Sequence, residues 1–294
     1  MTQQSGMSEI TRRSNDYYRE GSLDSERWAK IAELPDYEKV ISDFNWAEAI
    51  GLYCEKDSVS ILDCGCGVGH FPRQLQGKVT FPEDVTYYYD TLDPSSYSLT
   101  EHRNGLRYPF NPRNSFNSAV EDFLPMAWLG GYEIIWCMHS LYTVPRERLP
   151  RVVSTLASLL SPDGRCFIYL PKKHSAYMTL FDLYLEEAGH ERIQPYLTAE
   201  EVLSELAKRE ALAVETVDCS FDHWIEASEP QTLSTYLNQI SLRPVRLTYD
   251  EWQRNTTFAP YLDKAFDHGR SAWRFQQEVS LISFSWQGGT EGER

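Results

Sequence analysis

The stretch ILDCGCGVGHF, Ile61 to Phe71, constrains the chain more than any other. An apolar run of strand character delivers an acid, Asp63, and is followed by glycines at positions 65, 67 and 69. Glycine lets a backbone turn tightly and come into contact with a ligand, and the helix that follows offers unpaired N–H groups to a carboxylate or phosphate. The implied ligand is nucleotide-like. A pyrophosphate-binding turn follows GxGxxG, which needs glycine at position 70, where His70 stands. The spacing here is DxGxGxG, which weakens the dinucleotide reading and with it a dehydrogenase. The next strand-like run, VTYYYDTLD, ends in a second acid, Asp93. A carboxylate at the tip of a second strand can accept both hydroxyls of a ribose.

Around this turn, strand-like runs alternate with helical patterns from residue 60 to 170: SVSILDCG, VTYYYDTLD, SFNSAVEDF, YEIIWCMHS and GRCFIYLP. Such alternation makes a parallel sheet with helices on both faces. LPRVVSTLASLL sets Val152, Val153, Leu156, Leu159 and Leu160 on one stripe of a crossover helix. Capping boxes are expected at Thr198 with Glu201 and at Thr248 with Glu251. Two later strands, AVETVDCSFDHWIEA and QEVSLISFSW, complete a doubly wound, mostly parallel, seven-stranded α/β sheet of Rossmann-like type. The expected division is a disordered 1–15, an N-terminal helical lid at 16–57, and a core at 58–229 and 266–287. A helical substrate cap at 230–265 and a flexible tail at 288–294 complete it.

Lys and Arg number 28 against 43 Asp and Glu, a formal charge of -15. A surface of that sign repels phosphate backbones, so nucleic acid is not expected as a partner. The six cysteines form no CxxC pair and read as reduced thiols of a cytoplasmic protein. No stretch approaches the roughly 18 consecutive apolar residues of a membrane span, and no metal site is expected.

The run WCMHSLYTVP, Trp136 to Pro145, carries a buried strand straight into two groups with exchangeable protons, His139 and Tyr142. In a doubly wound sheet ligands sit beyond the carboxyl ends of the strands. Side chains three apart in a turn or helix start can share one cavity, so both residues are candidates for proton transfer.

Loop, second-strand acid and strand order together resemble the class I S-adenosylmethionine (SAM)-dependent methyltransferases over about residues 58 to 172. The resemblance implies that Asp63, Gly65 and Gly67 hold the methionine part, that Asp93 holds the ribose, and that Val120 and Glu121 edge the adenine. More distantly the chain is similar to the histamine N-methyltransferase-like group of small-molecule enzymes, through MHSLYTVP, DPSSYS, NDYYREGSLDSE and WRFQQEVSLISF. That similarity implies cofactor contacts at Ser98 and Met138 and a substrate-contacting acid at Glu26. His139 stands where the histamine enzyme has a glutamine and Gln277 where it has an asparagine, which puts histamine itself in doubt. Bacterial indole C3-methyltransferases are similar in overall plan.

Methyl transfer needs a shaped aromatic wall, polar anchors and a base. Tyr17, Tyr18, Trp28 and Trp46 lie in the segment expected to fold over the strand ends. The expected acceptor is a small nitrogen heteroaromatic, indole C3 ahead of a histamine-like ring nitrogen. Glu26, His139, Tyr142 and Tyr17 or Tyr18 would surround it, with Trp28 and Gln277 on the binding surface. Competing readings are a non-catalytic nucleotide-binding protein, which predicts a blocked acceptor cavity, and a protein or RNA methyltransferase, against which stand the charge and the absence of asparagine-proline-proline-tyrosine after the fourth strand. A second copy of the chain stays open as a partner.

Overall fold

The computed structural model describes residues 9–17, 27–126, 129, 131–189 and 193–288. Its sheet contains β1 (Ser58–Cys64), β2 (Thr86–Leu92), β3 (Phe110–Phe116), β4 (Tyr132–Met138), β5 (Leu160–Pro171), β6 (Leu212–Glu226), the two-residue β7 (Phe266–Asp267) and β8 (Ala272–Trp286). The order across the sheet is β3-β2-β1-β4-β5-β8-β6, with β7 paired to β8. β1 to β5 pair in parallel, and β8 runs antiparallel to both β5 and β6. This is the expected mostly parallel, doubly wound sheet. Its strand order reverses between β1 and β4, so a crevice opens beyond their carboxyl ends, where such folds place ligands.

The central strands are buried on both faces, which is why β1 and β4 read as near-continuous apolar runs. The helices described are α1 (Glu9–Tyr17), α2 (Leu34–Asp43), α3 (Trp46–Gly51), α4 (His70–Lys78), α5 (Ser96–Gly105) and α6 (Leu149–Leu159), then α7 (Ala176–Ala188), α8 (Ala199–Leu206), α9 (Pro230–Ser241), α10 (Tyr249–Gln253) and α11 (Ala259–Ala265). A π-helical turn, Ala29–Glu33, runs directly into α2. One core packs α6 and α8 on the sheet through Val152, Val153, Leu156 and Val202. A second packs α2, α3 and α4 on the other face around Trp46, Phe71 and Trp136. A third, containing Phe181, Tyr236 and Trp252, joins α7 to α9, α10 and α11. Both capping boxes form, at the starts of α8 and α10.

Three expectations are corrected. Residues 9–15, expected to be disordered, lie in α1, where Ile10 and Thr11 are buried. The third strand is FNPRNSF and ends before SAVEDF, which forms turns. β3 is an edge strand with largely exposed polar side chains and a proline, which masks the apolar alternation of a strand. Leu160 opens β5 instead of extending the α6 stripe. Among the described residues no helix is long and apolar enough to cross a membrane. All six cysteines are free thiols, and all but Cys54 are buried.

Candidate active site

The turn after β1 is held in the left-handed conformation at Gly65, Gly67 and Gly69, with φ of 67°, 50° and 83°. Two of these glycines do different work. A β-carbon at Gly65 would stand 2.2 Å from the β-carbon of Ser140, so the loop packs directly on the chain leaving β4. A β-carbon at Gly67 would meet nothing within 4 Å, because that position faces an open cavity. The loop is tied to β2 by the Gly65 N–H, which donates to the Leu92 carbonyl at 2.7 Å. Asp93, at the tip of β2, accepts from the Gly67 N–H at 3.0 Å and from the Ser95 N–H at 2.8 Å. Burial still dominates, and the Asp93 carboxyl is pushed up to about 6. It is a carboxylate with too few donors, and each oxygen keeps a lone pair for a ligand hydroxyl.

These groups border one cavity of about 380 Å³, a volume in the usual range for small-molecule sites. Gly65, Gly67, Asp93, Ser98, Met138, His139, Tyr142 and Trp28 all line it. Asp63 does not. Its Oδ2 accepts from the Tyr89 hydroxyl at 2.8 Å and lies 3.1 Å from His102 Nε2, so it anchors the loop from beneath. Val120 and Glu121 also lie away from this cavity. Glu121 borders a neighbouring one of about 270 Å³ and accepts from the Thr11 hydroxyl of α1 at 3.2 Å. Gln277, expected beside the acceptor, is fully buried behind the wall. Tyr17 ends α1; Tyr18 and Glu26 lie outside the described residues.

Opposite Asp93, the cavity is aromatic. His139 leaves β4 with φ of 51°, a conformation costly for a non-glycine residue and typical of functional sites. Its ring packs edge-on against Tyr169 at 4.6 Å and Tyr177 at 6.0 Å. Tyr142 continues the wall in a short 3-10 turn and meets Tyr196 edge-on at 4.9 Å. Trp28 lies 5.8 Å from Tyr177 and donates its indole N–H to Glu33 at 3.1 Å. His70 Nε2 is 3.6 Å from Glu33 Oε2. Burial and the Arg73 guanidinium hold His70 down at about 4, so near neutral pH that contact is polar and not an ion pair.

Behind His139 sits a group that the sequence did not disclose. Asp36 is fully buried, 3.0 Å from His139 Nε2 and 2.6 Å from His223 Nε2. The signal was present but weak: an acid beside Tyr37 on the same buried stripe as Val40 and Ile41, and a histidine in β6 in step with buried Ile225.

The methyltransferase domain family matches the chain over residues 33–243, well over half of its length, and the chain belongs to that family. No curated protein matches it. Among solved structures, loganic acid methyltransferase with S-adenosylhomocysteine (SAH) aligns at a TM-score of 0.60 and 12% identity, covering 92% of this chain and 99% of its own. A protein of Bacillus halodurans C-125 assigned as a methyltransferase aligns at 0.51 and 14%, covering 82% and 97%. Family and fold together make the chain a class I SAM-dependent methyltransferase.

Proposed function

We propose that the chain methylates a small nitrogen heteroaromatic, with indole C3 the favoured position, in cytoplasmic metabolism of alkaloid type. One observation carries this reading: a single open cavity runs from the ribose-type acid Asp93 to an aromatic corner containing His139. A non-catalytic protein would have that corner blocked. When bound, SAM supplies the methyl group. Asp93 would accept from its ribose hydroxyls, the open face at Gly67 would receive its amino-acid part, and Ser98 and Met138 would border it. Val120 and Glu121 would edge the adenine from beyond Thr11.

On the acceptor side, Trp28, Tyr142 and Tyr177 form a wall suited to a flat, electron-rich ring. His139 would take the ring N–H proton, and Tyr142 lines the same cavity. Tyr17, Tyr18 and Glu26 stay proposed members of the same corner, and Gln277 acts from behind the wall. The test is a mass-spectrometric screen of indoles, imidazoles, amines and phenols with SAM, read as a gain of one methyl. Indoles are expected to gain it; modification of imidazoles alone would move the reading to ring nitrogen, and no gain with any heteroaromatic would reject it.

The raised Asp93 pKa gives a pH dependence. Ligand hydroxyls favour the ionised carboxylate, so binding takes up the cost of ionising Asp93 below about 6. SAH affinity is therefore expected to fall about tenfold between pH 7 and pH 5, a range in which the ligand's own groups scarcely titrate. Calorimetry at the two pH values checks this. Without ligand the sign reverses: a raised acid contributes stability that is full below its ordinary value and is lost as pH rises through about 6.

A further inference from the structure

The cluster around Asp36 is not used by any role assigned above. Asp36 Oδ1 lies 2.6 Å from His223 Nε2, and Oδ2 accepts from the Tyr177 hydroxyl at 2.8 Å. The protons can be placed from the far end of the cluster. The Ser175 hydroxyl and the Tyr177 backbone N–H both donate to Gln277 Oε1, which fixes that atom as the amide's acceptor. The amide NH2 then donates to the Tyr236 hydroxyl oxygen at 2.8 Å. Tyr236 in turn donates its own proton to His223 Nδ1, 3.0 Å away. With Nδ1 accepting, His223 carries its proton on Nε2 and donates it to Asp36.

Asp36 is thus met by a phenol and a neutral imidazole and keeps its negative charge. Burial alone would raise its pKa, but the His223 and His139 rings beside it outweigh burial and hold it at about 2. His139 Nε2 is buried 3.0 Å from Oδ2, off the line of a regular hydrogen bond, while the ring borders the cavity. An imidazolium formed there would find a ready counter-charge.

We infer that Asp36 is a positioning residue for methyl transfer: the chain Ser175, Gln277, Tyr236 and His223 keeps it ionised, and it orients His139 and balances the charge His139 gains. This rests on the acceptor reading above. The attacked ring atom would bond to the methyl carbon as the methyl–sulfur bond breaks and leaves its electron pair on sulfur. The N–H bond of the acceptor ring breaks, its electron pair stays in that ring, and the proton passes to His139 Nδ1.

Asp36→Asn is expected to lower kcat about 10- to 100-fold, with acceptor KM and SAH affinity within about threefold of wild type. In a His139→Ala background it should add nothing, since residues acting as one unit are not additive. Effects that multiply, or a folded Asp36→Asn enzyme with wild-type kcat, overturn the inference. Tyr236→Phe removes the hydroxyl that sets the His223 tautomer together with the Gln277 amide, whose Nε2 lies 3.4 Å from Nδ1, and it should show a smaller kcat loss that likewise vanishes without His139. Histidine-ring 1H–15N spectra give a readout independent of turnover: a neutral His223 with its proton on Nε2 supports the arrangement. A doubly protonated ring, or a proton on Nδ1, overturns it. Failure of the wild-type enzyme to methylate any heteroaromatic, with His223 in the expected tautomer, would instead remove the acceptor reading and leave the charge arrangement standing.

Discussion

Asp93→Ala is expected to weaken SAH binding about 100-fold or more, because two hydroxyl-to-carboxylate hydrogen bonds of roughly 1.5 to 3 kcal/mol each disappear. The same carboxylate also accepts from the Gly67 and Ser95 N–H groups, so the truncation leaves those two donors without their acceptor as well. Asp93→Asn separates the two contributions. It keeps the shape and one acceptor oxygen, and a loss of roughly tenfold is expected from the exchanged donor and acceptor. The sheet beneath should be unaffected, since the turn stays pinned to Leu92 through Gly65 and packed against Ser140. Unchanged SAH affinity in a folded Asp93→Ala protein would remove the ribose role.

His139→Ala is expected to lower kcat by about 10²- to 10⁴-fold, the usual contribution of a positioned general base. SAH affinity should stay within about threefold, because a loss confined to kcat marks an interaction made in the transition state. The variant is expected to fold. Asp36 retains the His223 and Tyr177 donors when the His139 ring is gone, so no buried charge is orphaned. The lost ring contacts with Tyr169 and Tyr177 leave a cavity wall, which already faces open space. Turnover within a few-fold of wild type on the true acceptor would show that the proton leaves by another route.

The parts of this site that were legible in the sequence are those whose chemistry is local. Three glycines behind an apolar strand, an acid at the next strand tip and a histidine at a strand exit each announce themselves within a dozen residues. Their common position follows from strand order alone. Legibility stopped where function depends on distant partners. Asp36 and His223 are 187 positions apart and meet only because α2 packs against β6. Asp63 was readable as an acid of the turn, but nothing nearby in the chain signalled that Tyr89 and His102 would occupy it. Gln277 was placed at the acceptor by resemblance; the antiparallel pairing of β8 with β6 sets it beside Phe221, one layer behind the wall. The β3 boundary failed for another reason, because an edge strand with polar side chains lacks the burial pattern on which such readings depend.

The most direct measurement is a crystal structure of the protein grown with SAH. The expected result is a ribose whose two hydroxyls meet the Asp93 carboxylate, an amino-acid tail against the open side of Gly67, and a sulfur directed toward the His139 corner. Density for SAH anywhere else, or an Asp93 carboxylate that touches no part of the bound ligand, would contradict the account at its root.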